Sequence, residues 1–407
     1  MSAKELSPEI LQQTVDAFTK HGGNATEAAK SVSLNRATFC SRLNAAKLAN
    51  IKPTPGTDNP NEIAALKLKV KTLQAEVLKG RERSITETVI RDTIIKLTDA
   101  ATQIEAPQWA LESVKADSSP GVPTLFLSDL HWSEVVHPKQ INGVNKYNIA
   151  IAHDRLKMVG QRAVRLLRII SPKMDYPGLV MPLGGDMFSG NIHDELTATN
   201  ELNSMPALLD LMGELIALID YMVATFKKVF LPCVTGNHGR DTVKIWNKDR
   251  HATSFDWLLY QLLAKHYEID KRVTFMIPDG PDALYRIFSH RYLLSHGDQF
   301  RGGDSMIGCL GPIIRGDHKK RSRNGQIDLE YDTMIIGHWH SYIHHGRVIV
   351  NGSLKGYDEY AYSNNFSFEQ PQQALWITHP KHNITFRMPV YVGKEKVGLK
   401  MPWVSIK

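Results

Sequence analysis

Along this chain the motifs SDLHW, GGDMFSG, GNHG, SHGD and GHWH follow one another in that order. They bring Asp129, His131, Asp186, Asn237, His238, His296, His338 and His340, with His193 a few residues behind Asp186, and nearly all stand just past a short apolar run. Carboxylate oxygen, amide oxygen and imidazole nitrogen, with no thiolate among them, form a donor set for divalent ions. Hydrolysis of a phosphate ester near neutral pH needs a nucleophile made from water, neutralisation of charge on phosphorus and help for the leaving oxygen, and two cations supply the first two. Asp129 and His131, one residue apart, can bind one ion. Asp186, freed by Gly184-Gly185, has two oxygens and can bridge two ions, as an imidazole cannot. Asn237 offers a neutral oxygen, and His296, His338 and His340 complete the set.

The elements that must position these groups alternate. Thr124 to Ser128, Leu179 to Leu183 and Val229 to Thr235 are apolar and strand-like, with amphipathic helices near His153 to Ile170 and Met205 to Lys227. That alternation is the mark of an α/β fold with a buried sheet. Past residue 270 the pattern turns mostly to strands: Val273 to Ile277, Leu284 to Phe288, Tyr292 to Ser295, Thr333 to Ile336, Val348 to Val350, Ala374 to Thr378 and Ile384 to Val390. Two packed sheets flanked by helices would hold both halves.

The ordered motifs resemble the calcineurin-like metallophosphoesterase superfamily, whose pattern is Asp-x-His, Gly-Asp, Gly-Asn-His, a later His and Gly-His-x-His. The resemblance covers residues 124 to about 355. It implies an α/β, four-layered sandwich of two mixed sheets and outer helices. It implies Asp129, His131, Asp186 and His340 around one metal, and Asp186, Asn237, His296 and His338 around the other. Manganese is the implied working ion, with magnesium, iron and zinc as alternatives. His238 would contact the phosphate and protonate the leaving group without binding metal. One departure stands out: the family usually follows this His with an acid that orients it, whereas Gly239-Arg240 follows here, leaving Asp241 or backbone groups for the task. His193 would project over the metals and touch the substrate, with an ordinary loop histidine as the plain alternative.

Residues 1–50 carry a separate helical pattern. Leu11, Val15 and Phe18 recur at helical spacing, His21-Gly22-Gly23-Asn24 interrupts, a short helix runs from Ala25 to Ser31, and a third runs from Asn35 to about Ala46. The run GGNATEAAKSVSLNRATFCSRL resembles a Fis-type helix-turn-helix, which implies that Arg36, Thr38, Ser41, Arg42 and Asn44 on the third helix face a DNA major groove. A small helical cap is the plain alternative. Residues 51–119 read as a Pro-rich linker followed by a helical segment. Ile63, Leu66, Val70, Leu73 and Val77 form a short heptad seam, so the 59–79 helix would pair two copies or lie on the catalytic domain. The catalytic domain is then 120–407.

Arg301, Arg315, His318, Lys319, Lys320, Arg321 and Arg323 lie between His296 and the GHWH motif, on an expected loop bordering the metals, where they would hold DNA phosphates. Tyr357, Tyr360 and Tyr362 would line the groove or pack inside. The joint presence of a DNA-type helix-turn-helix and these cations favours a DNA nuclease, endo- or exonucleolytic, using water activated by two ions. The alternatives are a phosphatase or cyclic-nucleotide phosphodiesterase tethered to DNA, and a DNA-binding regulator with a non-catalytic domain.

Bulk properties set the remaining bounds. A chain of 407 residues suits two or three units, and its net charge of +7 is modest, so clustering of cations matters more than their sum. The longest apolar stretch, Leu208 to Phe226, is broken by Asp210, Glu214 and Asp220, which argues against a membrane span. The start MSAKELSPEI lacks a signal peptide's apolar core, and the three scattered cysteines suit reduced thiols, so a cytoplasmic protein is expected.

Overall fold

The computed structural model describes residues 6–54, 106–112, 120–302 and 308–393, and the chain divides into two compact units, Met1–Asp92 and Thr93–Lys407. The expected heptad seam at 59–79, and the dimer pairing that rests on it, lie outside the described residues.

In the first unit, α1 (Pro8–Lys20) opens with a proline where its missing N–H is no loss, and stops where Gly22 and Gly23 take positive φ. α2 (Ala25–Ser31) is capped by Asn24, whose side chain accepts from the Thr26 and Glu27 N–H groups. Asn35 does the same for α3 (Arg36–Leu48), accepting from Thr38 N at 2.8 Å. Leu11 and Val15 of α1 pack on Leu43 and Ala46 of α3, while Phe39 packs on Ala28 and Ala29 of α2. Arg36, Thr38, Ser41 and Asn44 are exposed and Arg42 is half-buried. The i, i+4 spacing of Phe39 and Leu43 thus gives α3 one buried face and one polar face.

The second unit begins with a single turn, α4 (Gln108–Leu111), and then builds two sheets. In the first, β1 (Val122–Phe126), β2 (Leu179–Val180), β3 (Val229–Pro232) and β4 (Val273–Met276) run parallel; β10 (Gln372–His379) pairs antiparallel with β1, and β11 (Asn383–Tyr391) with β10. In the second, β6 (His290–Ser295), β7 (Thr333–Ile336) and β9 (Val348–Val350) run parallel between antiparallel edges β5 (Asp282–Ile287) and β8 (Ile343–His345).

Phe126, Val180, Phe230 and Trp376 of the first sheet meet Tyr285, Tyr292, Leu294, Ile335 and Ile349 of the second in one buried core. Tyr292 and Thr378 hydroxyls bond across that core at 2.7 Å, while the Tyr285 hydroxyl is buried there without a hydrogen-bond partner. The other face of the first sheet is covered by α5 (Ile149–Ile170), α7 (Ser204–Phe226) and α8 (Phe255–His266), through Leu156, Leu215 and Leu263 among others. α9 (Leu310–Gly325) covers the second sheet through Ile313, packed with Phe300 and Ile336. The layers run helix, sheet, sheet, helix, as expected.

Several elements differ from expectation. α8, β8 and two short helices at Asp194–Thr199 and Glu359–Ser363 were not foreseen, and the basic segment expected as a loop is the helix α9. Gly311, Pro312 and Gly316 are poor helix formers in isolation. In the fold, Pro312 sits in the first turn, where a helix tolerates it, and a Cβ at 316 would lie 2.3 Å from the Phe300 ring. Among the described residues no helix is long and apolar enough to cross a membrane, and Cys40, Cys233 and Cys309 form no disulfide.

Candidate metal centre

Parallel strands end on one edge, so the loops after β1, β2 and β3, and after β6 and β7, bring their residues together where side chains can converge. Asp129 and His131 follow β1, Asp186 follows β2, Asn237 and His238 follow β3, His296 follows β6, and His338 and His340 follow β7. Three groups of donors result: Asp129, His131 and His340; His131, Asp186 and His238; and Asp186, His296 and His338. Within each group the donor atoms lie within 4.8 Å of one another. His131 and Asp186 each belong to two groups, which makes the three continuous.

The backbone of this cluster is unusual. Asp129, His131, Asp186, His338 and His340 all have positive φ, between 47° and 67°. A non-glycine residue in that region costs of order 1 kcal/mol, so the surroundings must impose it. Loop-to-loop bonds do so: Asp129 N donates to Gly185 O, His131 N to Asp186 O, and Leu354 N to Asp129 O. The carboxylates join in, with His338 N donating to Asp129 Oδ1 at 2.9 Å and His238 N to Asp186 Oδ1 at 2.7 Å. Glycine is required opposite each of them. A Cβ at Gly236 would lie 2.1 Å from Asp186 Oδ1, and one at Gly337 would lie 2.3 Å from Asp129 Oδ2.

The donors also face one another. His131 Nε2 and His340 Nε2 are 2.9 Å apart, His340 Nε2 lies 3.4 Å from Asp129 Oδ1, and His296 Nε2 lies 3.1 Å from both Asp186 Oδ2 and Asn237 Oδ1. Two imidazole nitrogens at such a distance can share at most one proton. Burial alone would raise Asp186, yet the rings of His296, His238 and His131 hold it well below the usual carboxylate range. Asp129 is likewise low against its burial, through His340 and His296. His131 falls to about 4 by burial and the Lys355 charge, and His338 to about 4 by burial and His296. Ionised carboxylates and neutral imidazoles are the states that bind divalent ions, so these residues fit the dinuclear group that the motifs imply. His296, by contrast, is pushed up to about 10, against its burial, by Asp186, Asp129 and Asp298. An ion there would displace its proton.

The ring of His238 stands beside the cluster, 4.6 Å from that of His131. Its Nδ1 lies 2.8 Å from the Ser189 carbonyl, so a backbone group performs the orienting task left open by Gly239. His193 is exposed at the start of α6 (Asp194–Thr199), its ring 6.3 Å from that of His238.

Several residues with a part in this arrangement escaped the sequence. Asp256, buried at the start of α8, accepts from the N–H groups of Asp186, Met187 and Gly236, tying the loops after β2 and β3 together. Its carboxyl is pushed up to about 7 by burial and by Asp186. Glu134 Oε2 lies 3.2 Å from His131 Nδ1, an ion-pair distance without hydrogen-bond alignment. Glu134 Oε1 accepts from Lys355 Nζ at 2.6 Å, and Lys355 also holds Asp358 at 2.6 Å. Asp298, already within the SHGD motif, pairs with Arg250, which also reaches the Gly236 carbonyl. No motif marks Asp256, Glu134 or Lys355.

The expected phosphate-binding cations divide. Lys320 is buried and bonds Asp282 at 2.6 Å; Arg323 bonds the same carboxylate; Arg321 bonds Asp317 and the Tyr331 carbonyl while its guanidinium lies 4.3 Å from the Tyr331 ring centre. These three tie α9 to its own sheet. Arg301, Arg315 and Lys319 are exposed.

No family model matches the chain, and no curated protein does. Among solved structures, a Streptococcus pneumoniae protein described as a predicted phosphoesterase shares 10% identity over 66% of this chain and 97% of its own, at a TM-score of 0.24. The sulfate thiohydrolase SoxB of Thermus thermophilus shares 9% over 67% of this chain and 57% of its own, at 0.29. At such TM-scores neither likeness bears on the function.

Proposed function

We propose that the chain is a calcineurin-like, dinuclear metal-dependent phosphoesterase that acts as a DNA nuclease. The observation that carries the phosphoesterase part is the convergence of Asp129, His131, Asp186, His296, His338 and His340 into linked donor groups, with five of these six held at positive φ. Such strain is kept where a geometry is needed for its own sake. Asp129, His131, Asp186 and His340 would hold one ion, and Asp186, Asn237, His296 and His338 the other. When bound, the ions would neutralise phosphate charge and lower the pKa of a water enough for it to give up a proton near neutral pH.

The chain's own residues account for the rest. With Nδ1 of His238 donating to the Ser189 carbonyl, Nε2 is the atom left to carry a proton to the leaving oxygen. Burial lowers the pKa of this ring, which makes its cation a readier donor. His193, its ring 6.3 Å from that of His238, would meet the substrate backbone. Arg301, Arg315 and Lys319 offer exposed cations, and the polar face of α3, with Arg36, Thr38, Ser41, Arg42 and Asn44, supports a helix-turn-helix that brings the enzyme to duplex DNA.

The test is turnover of plasmid, linear and single-stranded DNA and of a small aryl phosphodiester, with manganese titrated from zero. Metal-dependent cleavage of DNA is expected. Cleavage of the small ester alone would move the function to a phosphodiesterase or phosphatase tethered to DNA, and no turnover of either would leave a binding protein.

A further inference from the structure

Beyond the metal centre, residues 357–368 gather five aromatic rings on a surface that the chemistry above does not use. Tyr360 is 68% and Phe366 55% exposed, and Tyr362 and Phe368 are exposed beside the half-buried Tyr357. The rings brace one another, Tyr360 edge to face on Phe366 at 5.8 Å and Tyr357 tilted against Phe368 at 5.4 Å. Their mounting is firm. Asp358 caps the short helix α10 (Glu359–Ser363), the Tyr357 hydroxyl donates to the Phe366 carbonyl, and Asn142 donates to the Tyr362 hydroxyl at 2.7 Å.

This platform is joined to the candidate centre by side chains. Asp358 bonds Lys355, Lys355 bonds Glu134, and Glu134 abuts His131. Between Lys355 and Lys381 the chain has no lysine or arginine, while Asp358, Glu359 and Glu369 are acidic. Asp358 is buried and paired with Lys355, and Glu359 accepts from the His137 N–H, so this segment supplies no cation of its own and offers bare ring faces instead. A strand whose phosphate lies over the metal donors brings a nucleobase, flat and uncharged, to that neighbourhood.

We infer that Tyr360 and Phe366 form a stacking platform for unpaired bases next to the scissile phosphate, so that the substrate strand is single-stranded where it is cut. The inference rests on the nuclease proposal above. Stacking on an exposed ring strengthens binding of any base, because every base has a π face, and it is lost when the ring is truncated.

The experiment compares wild type with Tyr360→Ala and Phe366→Ala, and with the ring-retaining Tyr360→Phe and Phe366→Tyr, all at saturating manganese. Substrates are a single-stranded oligodeoxynucleotide, the same strand with abasic sites flanking the cut, and a small aryl phosphodiester. Each alanine variant is expected to raise KM for the base-bearing strand by about tenfold, with kcat little changed. The ring-retaining variants should behave as wild type, and the abasic strand and small ester should not distinguish any of them. Equal KM for wild type and both alanine variants on the base-bearing strand overturns the platform, as does an equal loss on the abasic strand. If wild type cuts the small ester but no strand, the nuclease proposal itself fails, and the aromatic surface passes to a protein partner.

Discussion

His238 Nδ1 meets the carbonyl of Ser189 at 2.8 Å, across 49 residues of sequence. A carbonyl accepts and cannot donate, so the bond fixes the tautomer as well as the ring orientation. Replacing His238 by alanine should lower turnover by roughly a hundredfold or more, as loss of a general acid does, with two ions per chain still bound. Loss of metal in His238→Ala would make the ring a ligand instead. Ser189→Ala should leave turnover near wild type, because the backbone supplies the bond. Gly190→Ala should not be tolerated, since its Cβ would lie 1.8 Å from the His238 carbonyl.

Asp256 closes three backbone N–H groups from two loops. Truncation to alanine leaves those donors buried and unpaired, a cost of about 3 kcal/mol or more. The metal centre should loosen with the loops, by about tenfold or more in manganese affinity. Calorimetric titration and urea unfolding of Asp256→Ala read the two effects. Wild-type affinity in a destabilised variant would confine Asp256 to stability.

Lys355 is buried between Glu134 and Asp358. Lys355→Met strands two carboxylates and should cost about 3–5 kcal/mol, the usual penalty for breaking a buried ion pair. Adding Glu134→Gln and Asp358→Asn to it should recover much of that stability. A triple variant no more stable than Lys355→Met would show that packing, not charge, is at stake.

The neighbours Lys319 and Lys320 should part company. Lys319 is exposed on α9, whereas Lys320 is held by Asp282 in the interior. Lys319→Ala should flatten the salt dependence of DNA binding by close to one unit of slope, about 0.9 for each phosphate no longer neutralised, and leave the melting temperature unchanged. Lys320→Met should lower the melting temperature with little effect on slope. The reverse pattern would assign the phosphate to Lys320.

His344 predicts an acid sensitivity apart from the metal centre. Its Nε2 is buried without a partner, and burial, with Arg387, lowers its pKa from 6.5 to about 4. The folded ring stays neutral while the unfolded one protonates below 6.5. Its contribution is therefore fully present above 6.5 and is lost as pH falls from there towards 4. The urea midpoint of wild type should fall relative to that of His344→Phe as pH drops through that interval. Parallel pH profiles would remove His344 from the account.

The strands and the order of donors were legible because the rules that produce them are local. An apolar run such as Val229–Pro232 announces a buried strand, and a donor placed just past it must emerge at the sheet edge whatever the rest of the chain does. The same local rules ended α1 at His21-Gly22-Gly23-Asn24 and began α2 at Ala25. They misjudged α9, where Gly311, Pro312 and Gly316 look like breakers until the Phe300 ring is seen to fill the space that a side chain would take.

What the sequence determined by itself is thus the kind of chemistry: oxygen and nitrogen donors, their number and the edge on which they stand. Tertiary structure alone decided how they are held. Glu134 and Lys355 are 221 residues apart, Asp186 and Asp256 are 70 apart, and neither pair has a spacing or a composition that could announce it. A buried charge or an aimed imidazole depends on which distant group arrives beside it, and that is a property of the folded packing.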